Sequence, residues 1–152
     1  MKVYLKLYKM PQPSNKLARW YWNLCAEWNH CSLQFDDTVM HPFDLDKPRW
    51  IPVKLEEKLF GYKTSPVSFY MGETDVPLGK IVYTVNQMPV YTEFGQYFRY
   101  INSLTGFMFK MPNSCVHKST TILNMLFDYP ILFGIPDHLI KEYKLDIKNA
   151  IR

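Results

Sequence analysis

The chain has 152 residues, 47% of them hydrophobic and 21% charged, which suits one cored domain spanning 1–152 and excludes a largely disordered chain. Eighteen Lys and Arg against fourteen Asp and Glu leave a net charge of +4. The basic residues are scattered rather than gathered into a stripe, which disfavours a nucleic-acid partner.

Met1–Met10 alternates Val3, Leu5 and Leu7 with Tyr4, Lys6 and Tyr8, the pattern of a strand rather than a secretory leader. No apolar run nears the roughly 18 residues of a membrane helix. A cytoplasmic protein without a membrane span is expected. Three cysteines, Cys25, Cys31 and Cys115, are an odd number and fit free thiols in a reducing compartment.

After the turn Pro11-Gln12-Pro13-Ser14, the residues Leu17, Trp20, Tyr21, Leu24, Cys25 and Trp28 follow helical spacing and predict a helix from Asn15 to Glu27, capped by Ser14. Asn29 to Phe35 alternates again, with Cys31, Leu33 and Phe35 on one face and His30, Ser32 and Gln34 on the other. Asp36-Asp37-Thr38 turns the chain and Val39 to Phe43 returns, so the pair predicts a β-hairpin. Further strands are expected at Trp50–Val53, Val67–Met71 and Lys80–Val85, with Pro52, Pro66 and Pro77 marking ends or edges.

Phe94, Tyr97, Phe98, Ile101 and Leu104 then predict a helix capped by Thr92, and Phe107–Phe109 a short extended stretch. Val116, Thr120, Leu123 and Phe127 predict a second long helix, ended by Pro130. Asp137 is expected to cap a last helix through Tyr143. The order gives an α+β fold, an antiparallel sheet or small barrel packed against helices. Tyr91, Tyr97, Tyr100 and Tyr129 suit half-buried packing, or a cleft or protein partner.

Cys115 opens the second long helix, with Asn113 or Ser114 as its cap. A thiol in a first helical turn faces unpaired N–H groups and the positive end of the helix dipole, and both favour thiolate. The same N–H groups suit an oxyanion. On composition alone a small buried residue is the commoner use of such a cysteine.

His30 opens the second strand on its polar face, and His41 returns on the partner strand eleven residues later. In a tight hairpin the two are near cross-strand neighbours, so one acts as base and the other orients its ring. Asp36, at the hairpin tip, ranks below His41 as orienter. Gln34 shares the face of His30 and suits an orienting or oxyanion-donating role. No metal is expected, because the histidines and cysteines lack ligand spacing. No cofactor is expected either, since the six glycines stand singly and form no phosphate loop.

A histidine at a strand start, an acidic turn, a return strand and a late cysteine opening a helix resemble the permuted branch of the NlpC-like papain-fold cysteine peptidases and amidases. The matching stretches are Asn29 to Val39 and Asn113 to Ser119, and Ile135-Pro136-Asp137-His138-Leu139 resembles a proline-led segment of phage-encoded relatives. The resemblance implies a papain-like fold in circularly permuted order. It assigns Cys115 as nucleophile, His30 as general base and His41 as the third polar residue; Gln34 and Ser114 are the supporting residues that their places on the strand face and at the helix cap suggest. It also implies a hydrolase acting on a peptide, isopeptide or other acyl substrate, in a host cytoplasm or virion if phage-encoded. A non-catalytic viral or phage binding protein on the same fold is the alternative. His117 stands where relatives often carry an acidic residue, and the hairpin turn lacks their usual glycine.

Overall fold

The computed structural model describes residues 1–9, 16, 27–28, 30–42, 47–60, 66–88 and 114–151. The helix expected over 15–27, Cys25, the helix after Thr92 and the stretch 107–109 lie outside these apart from Lys16 and Glu27.

The alternation of the first residues produces β1 (Lys2–Tyr8), in which Val3, Leu5 and Leu7 are fully buried. The next alternating run forms β2 (His30–Phe35), and Thr38–His41 returns as β3. β2 pairs antiparallel with both β1 and β3, matching Tyr8 to His30, Leu7 to Cys31 and Leu33 to Met40. β4 (Arg49–Pro52) adds beyond β3, and β5 (Val67–Glu73) pairs with β1 from the other side. The result is a five-stranded antiparallel sheet in the order β4-β3-β2-β1-β5. Ile151 forms an antiparallel bridge to Ser68 on the outer side of β5.

The hairpin turn works without glycine because Asp36 adopts φ 46°, a conformation Asp tolerates better than most residues. Its carboxylate accepts from the Lys2 N–H at 2.8 Å, and its own N–H donates to the Lys2 carbonyl. The turn is thereby tied to the start of the neighbouring strand.

Two strand expectations need correction. β4 ends at Pro52, and Val53 opens a helix, α1 (Val53–Phe60), rather than closing a strand. The Val53 N–H donates to the Asp37 carbonyl at 2.8 Å, which anchors the helix to the hairpin turn. The stretch Lys80–Val85 is not a strand but part of α2 (Leu78–Gln87). Its β-branched residues imitate a strand, yet the buried positions are Ile81 and Val85, four apart, while Tyr83 between them is 67% exposed. That is a helical burial period.

α3 (Cys115–Phe127) begins at Ser114, whose Oγ accepts from the His117 N–H at 3.1 Å. It stops before Pro130 because Asp128 turns left-handed, φ 58°, and donates its N–H to the Asn124 carbonyl. α4 (Pro136–Glu142) starts after Ile135, so Asp137 lies inside its first turn rather than at the cap. The Asp137 carboxylate instead accepts from the backbone N–H groups of Glu27 and Trp28, at 2.9 and 3.1 Å. It ties the chain entering β2 to α4.

One face of the sheet carries Val3, Leu5, Leu7, Cys31, Leu33 and Phe35, and α2, α3 and α4 cover this core with Ile81, Val85, Val116, Ile122, Leu123 and Leu139. Each fully buried aliphatic or aromatic side chain contributes about 1.5–3 kcal/mol relative to exposure. Among the described residues no helix is long and apolar enough to cross a membrane. The fold is thus α+β, an antiparallel sheet packed with helices.

Candidate functional site

The second face of the sheet would ordinarily meet water, but at the end where β1 finishes and β2 begins its polar side chains are buried. Lys6 and Tyr8 of β1, His30 and Ser32 of β2 and His41 of β3 are all less than 8% exposed. Their positions follow from strand alternation: Lys6 pairs with Ser32, and Tyr8 with His30. The register that matches Leu33 to Met40 carries His41 beside Ser32 one step on. Glu56, one turn into α1, is brought over this face and is itself 4% exposed.

Buried polar groups must be paired, and these are. The His30 Nε2 lies 3.2 Å from the His41 Nδ1, and the His41 Nε2 lies 2.9 Å from the Glu56 Oε1. The two imidazole planes are within 5° of each other. Glu56 also accepts from the Lys6 ammonium and from the Tyr8 hydroxyl. The Tyr8 oxygen lies 2.7 Å from the Ser32 Oγ. Since Tyr8 donates its proton to Glu56, Ser32 is the donor in that contact.

Electrostatics decide where the protons sit. Burial alone pushes the Glu56 carboxyl up, but hydrogen bonds from His41, Lys6 and Tyr8 outweigh it and hold the group down at about 2. Glu56 is therefore ionised and only accepts. Burial is the largest influence on His41 and pushes its pKa down, ahead of the opposing Glu56 hydrogen bond. A neutral His41 that donates from Nε2 to Glu56 must accept at Nδ1. The His30 Nε2 is then a donor, and in the neutral His30 ring the basic lone pair falls on Nδ1. The tautomers are thus set by one buried carboxylate at the far end of the chain.

Cys115 is the first residue of α3 and 1% exposed. α3 packs against β2 and runs in the same direction. Ser119 is level with Cys31, whose Sγ lies 3.8 Å from the Ser119 Oγ. Phe127 is level with the other end, where a Cβ on Gly72 would stand 2.9 Å from its ring; Gly72 pairs with Val3, and Val3 with Phe35. One turn back from Ser119, Cys115 arrives at the end of β2 that begins with His30. Cys31 faces α3, so the adjacent His30 turns toward the opposite face at the mouth of the strand. The described hydrogen bonds run from Glu56 through His41 to His30.

Of the residues expected from sequence, His30 and His41 are joined directly, and Cys115 and Ser114 are placed at the same end of β2. Ser114 spends its hydroxyl on capping the His117 N–H. Gln34 needs correction as a supporting residue. It lies four residues along β2 from His30, about 13 Å at strand rise, and its Nε2 donates to the Asp36 carbonyl at 2.8 Å. It holds the hairpin turn. Asp36 is occupied there too, with Lys2.

Glu56, Lys6, Tyr8 and Ser32 escaped the sequence reading. The usable signal was the run of polar residues Tyr4, Lys6, Tyr8 and His30, Ser32, Gln34 on facing strands. Glu56 carried none, because it sits beside Leu55, 46% exposed, on a helix whose apolar pattern points outward. Among the described residues no group of three or more His, Cys, Asp and Glu is gathered to hold a metal ion. No protein-family model, no curated protein and no solved structure matches this chain.

Proposed function

We propose that the protein is a cysteine hydrolase or acyltransferase of permuted papain-like fold, with Cys115 as nucleophile, His30 as general base and His41 as the residue that orients it. The observation that carries this reading is the buried chain Glu56–His41–His30, which fixes the base in the form that accepts a proton at Nδ1. A nucleophile, a base and an orienting group in series are what acyl transfer requires.

In this reading the His30 Nδ1 takes the Cys115 proton. The thiolate attacks the carbonyl carbon of an amide, ester or thioester. The Cys115 backbone N–H and the positive end of α3 hold the oxyanion. Collapse breaks the bond to the leaving group, which receives the proton from His30, and leaves a thioester on Cys115. Water, deprotonated by His30, attacks that thioester and releases the acid and the thiol; an amine or alcohol in its place makes the protein an acyltransferase. Peptide and isopeptide bonds are the substrate class favoured by the likeness to NlpC-like enzymes, as is a cytoplasmic or phage-borne setting.

The thiol's burial favours a second reading, a non-catalytic binding protein on the same scaffold. Intact-mass spectrometry after exposure to activated ester, thioester and peptide amide substrates separates the two. An acyl adduct on Cys115, absent in Cys115→Ser and slowed in His30→Ala, supports the enzyme. Absence of any adduct on the folded protein across all three classes contradicts it.

A further inference from the structure

The polar face holds a charged group that the acyl-transfer scheme leaves without a task. Lys6 is a lysine in the middle of a central strand, 4% exposed, and buried lysines are rare unless paired. Its ammonium binds the Glu56 Oε2, while His41 binds Oε1 of the same carboxylate. One buried carboxylate thus faces two candidate cations, and only one positive charge is needed to neutralise it.

The geometry points to Lys6 as the positioning residue that decides where the proton sits in this chain. By supplying the countercharge to Glu56, it lets His41 remain a neutral donor at Nε2 and an acceptor at Nδ1. His30 is thereby kept in the form whose Nδ1 is basic. Without the ammonium, the cheapest way to neutralise a buried carboxylate is for His41 to become an imidazolium. An imidazolium has no acceptor, so the His41 Nδ1 would donate toward His30, and the His30 Nε2 would have to accept. The proton of a neutral His30 would move to Nδ1, and the base would point the wrong way.

The charged or titratable groups linked in this cluster are Lys6 and Tyr8 from β1, His30 from β2, His41 from β3 and Glu56 from α1; Arg49 of β4 stands opposite His41 in register, and Lys2, Tyr4 and Tyr70 lie farther along the same face. Tyr8 also donates to Glu56 but remains neutral, so it shares the hydrogen bonding and not the charge. Burial is the largest influence lowering the His41 pKa, and the His30 and Lys6 charges act in the same direction against the raising influence of Glu56. The consequence for catalysis rests on the proposed hydrolase reading; the placement of the proton does not.

The test is long-range proton–nitrogen NMR of the imidazoles across pH, in a Cys115→Ser background so that the answer is independent of enzyme activity. With Lys6 present, His41 is expected as the neutral Nε2–H form at pH 7. In Lys6→Met its titration midpoint is expected to rise by about 1–3 units, with both nitrogens protonated near neutrality. Lys6→Arg should keep the neutral form. Lys6→Met/Glu56→Gln, with both charges gone, should return His41 to neutrality and keeps the proposal testable where Lys6→Met alone does not fold. Identical His41 titrations with and without the ammonium overturn the proposal, as does an Nδ1–H form when Lys6 is present. Loss of Cys115 reactivity, tested separately with an alkylating agent, bears on the hydrolase reading and leaves this result untouched.

Discussion

At the residue scale the molecule turns on Glu56. Its carboxylate receives His41, Lys6 and Tyr8 within a site that water barely reaches. Removing one partner of such a buried pair costs about 3–5 kcal/mol, because it strands the other charge. Glu56→Ala is therefore expected to destabilise the fold by that order, read by urea denaturation, while Lys6→Met/Glu56→Gln should cost less than the sum of its singles. The pH dependence has a definite sign. Glu56 has a folded pKa of about 2 against an ordinary 4.5, so its stabilisation is complete above 4.5 and is lost as pH falls toward 2. His41, His117 and His138 are all pushed below 6.5, chiefly by burial. The unfolded chain binds their protons first, so each destabilises the fold as pH drops below 6.5. Asp137, pushed up by burial, has the opposite sign. Denaturation midpoints measured from pH 8 to 3 should fall from about pH 6.5 downward and more steeply below about 4.5.

At the element scale, two helices test how burial period decides structure. In a strand Ile81, Tyr83 and Val85 would share a face; in α2 only Ile81 and Val85 meet the core. Ile81→Ala is expected to cost about 2–5 kcal/mol, and Tyr83→Ala to stay within about 0.5 kcal/mol. Equal losses at both positions would argue for the strand. The start of α3 depends on a single hydroxyl, that of Ser114. Ser114→Ala should cost about 0.5–2 kcal/mol. Fraying of the first turn would also weaken the helix-end field on the Cys115 thiol, so its alkylation should shift to higher pH.

At the scale of the whole molecule, the alternation of β1, the β2–β3 hairpin and the start of α3 was legible because each has a local cause: period-two burial, a turn that Asp36 closes, and a serine cap. The meeting of His30 with His41 was legible for the same reason, since a short hairpin sets His41 opposite Ser32 and so makes His30, on the same face, its diagonal neighbour. α2 was misread as a strand where local and tertiary signals conflict in its β-branched residues, and α1, with its outward apolar face, was not predicted, its first residue Val53 being taken as the end of a strand. Glu56 was invisible because its partners come from β1 and β3, and only the folded sheet places Lys6, Tyr8 and His41 around one carboxylate. Gln34 shows the converse: it shares a face with His30 yet lies a strand length away from it.

The central claim is that a carboxylate-anchored histidine pair activates Cys115. The alkylation rate of each cysteine by iodoacetamide across pH, resolved by mass spectrometry, tests it most directly. The protein should be compared with His30→Ala and Glu56→Gln. Cys115 is expected to react well below the pH of an ordinary thiol, whose pKa is about 8.5, and both substitutions should remove this advantage. A Cys115 that stays inert until the protein unfolds, or that reacts identically in all three proteins, would contradict it.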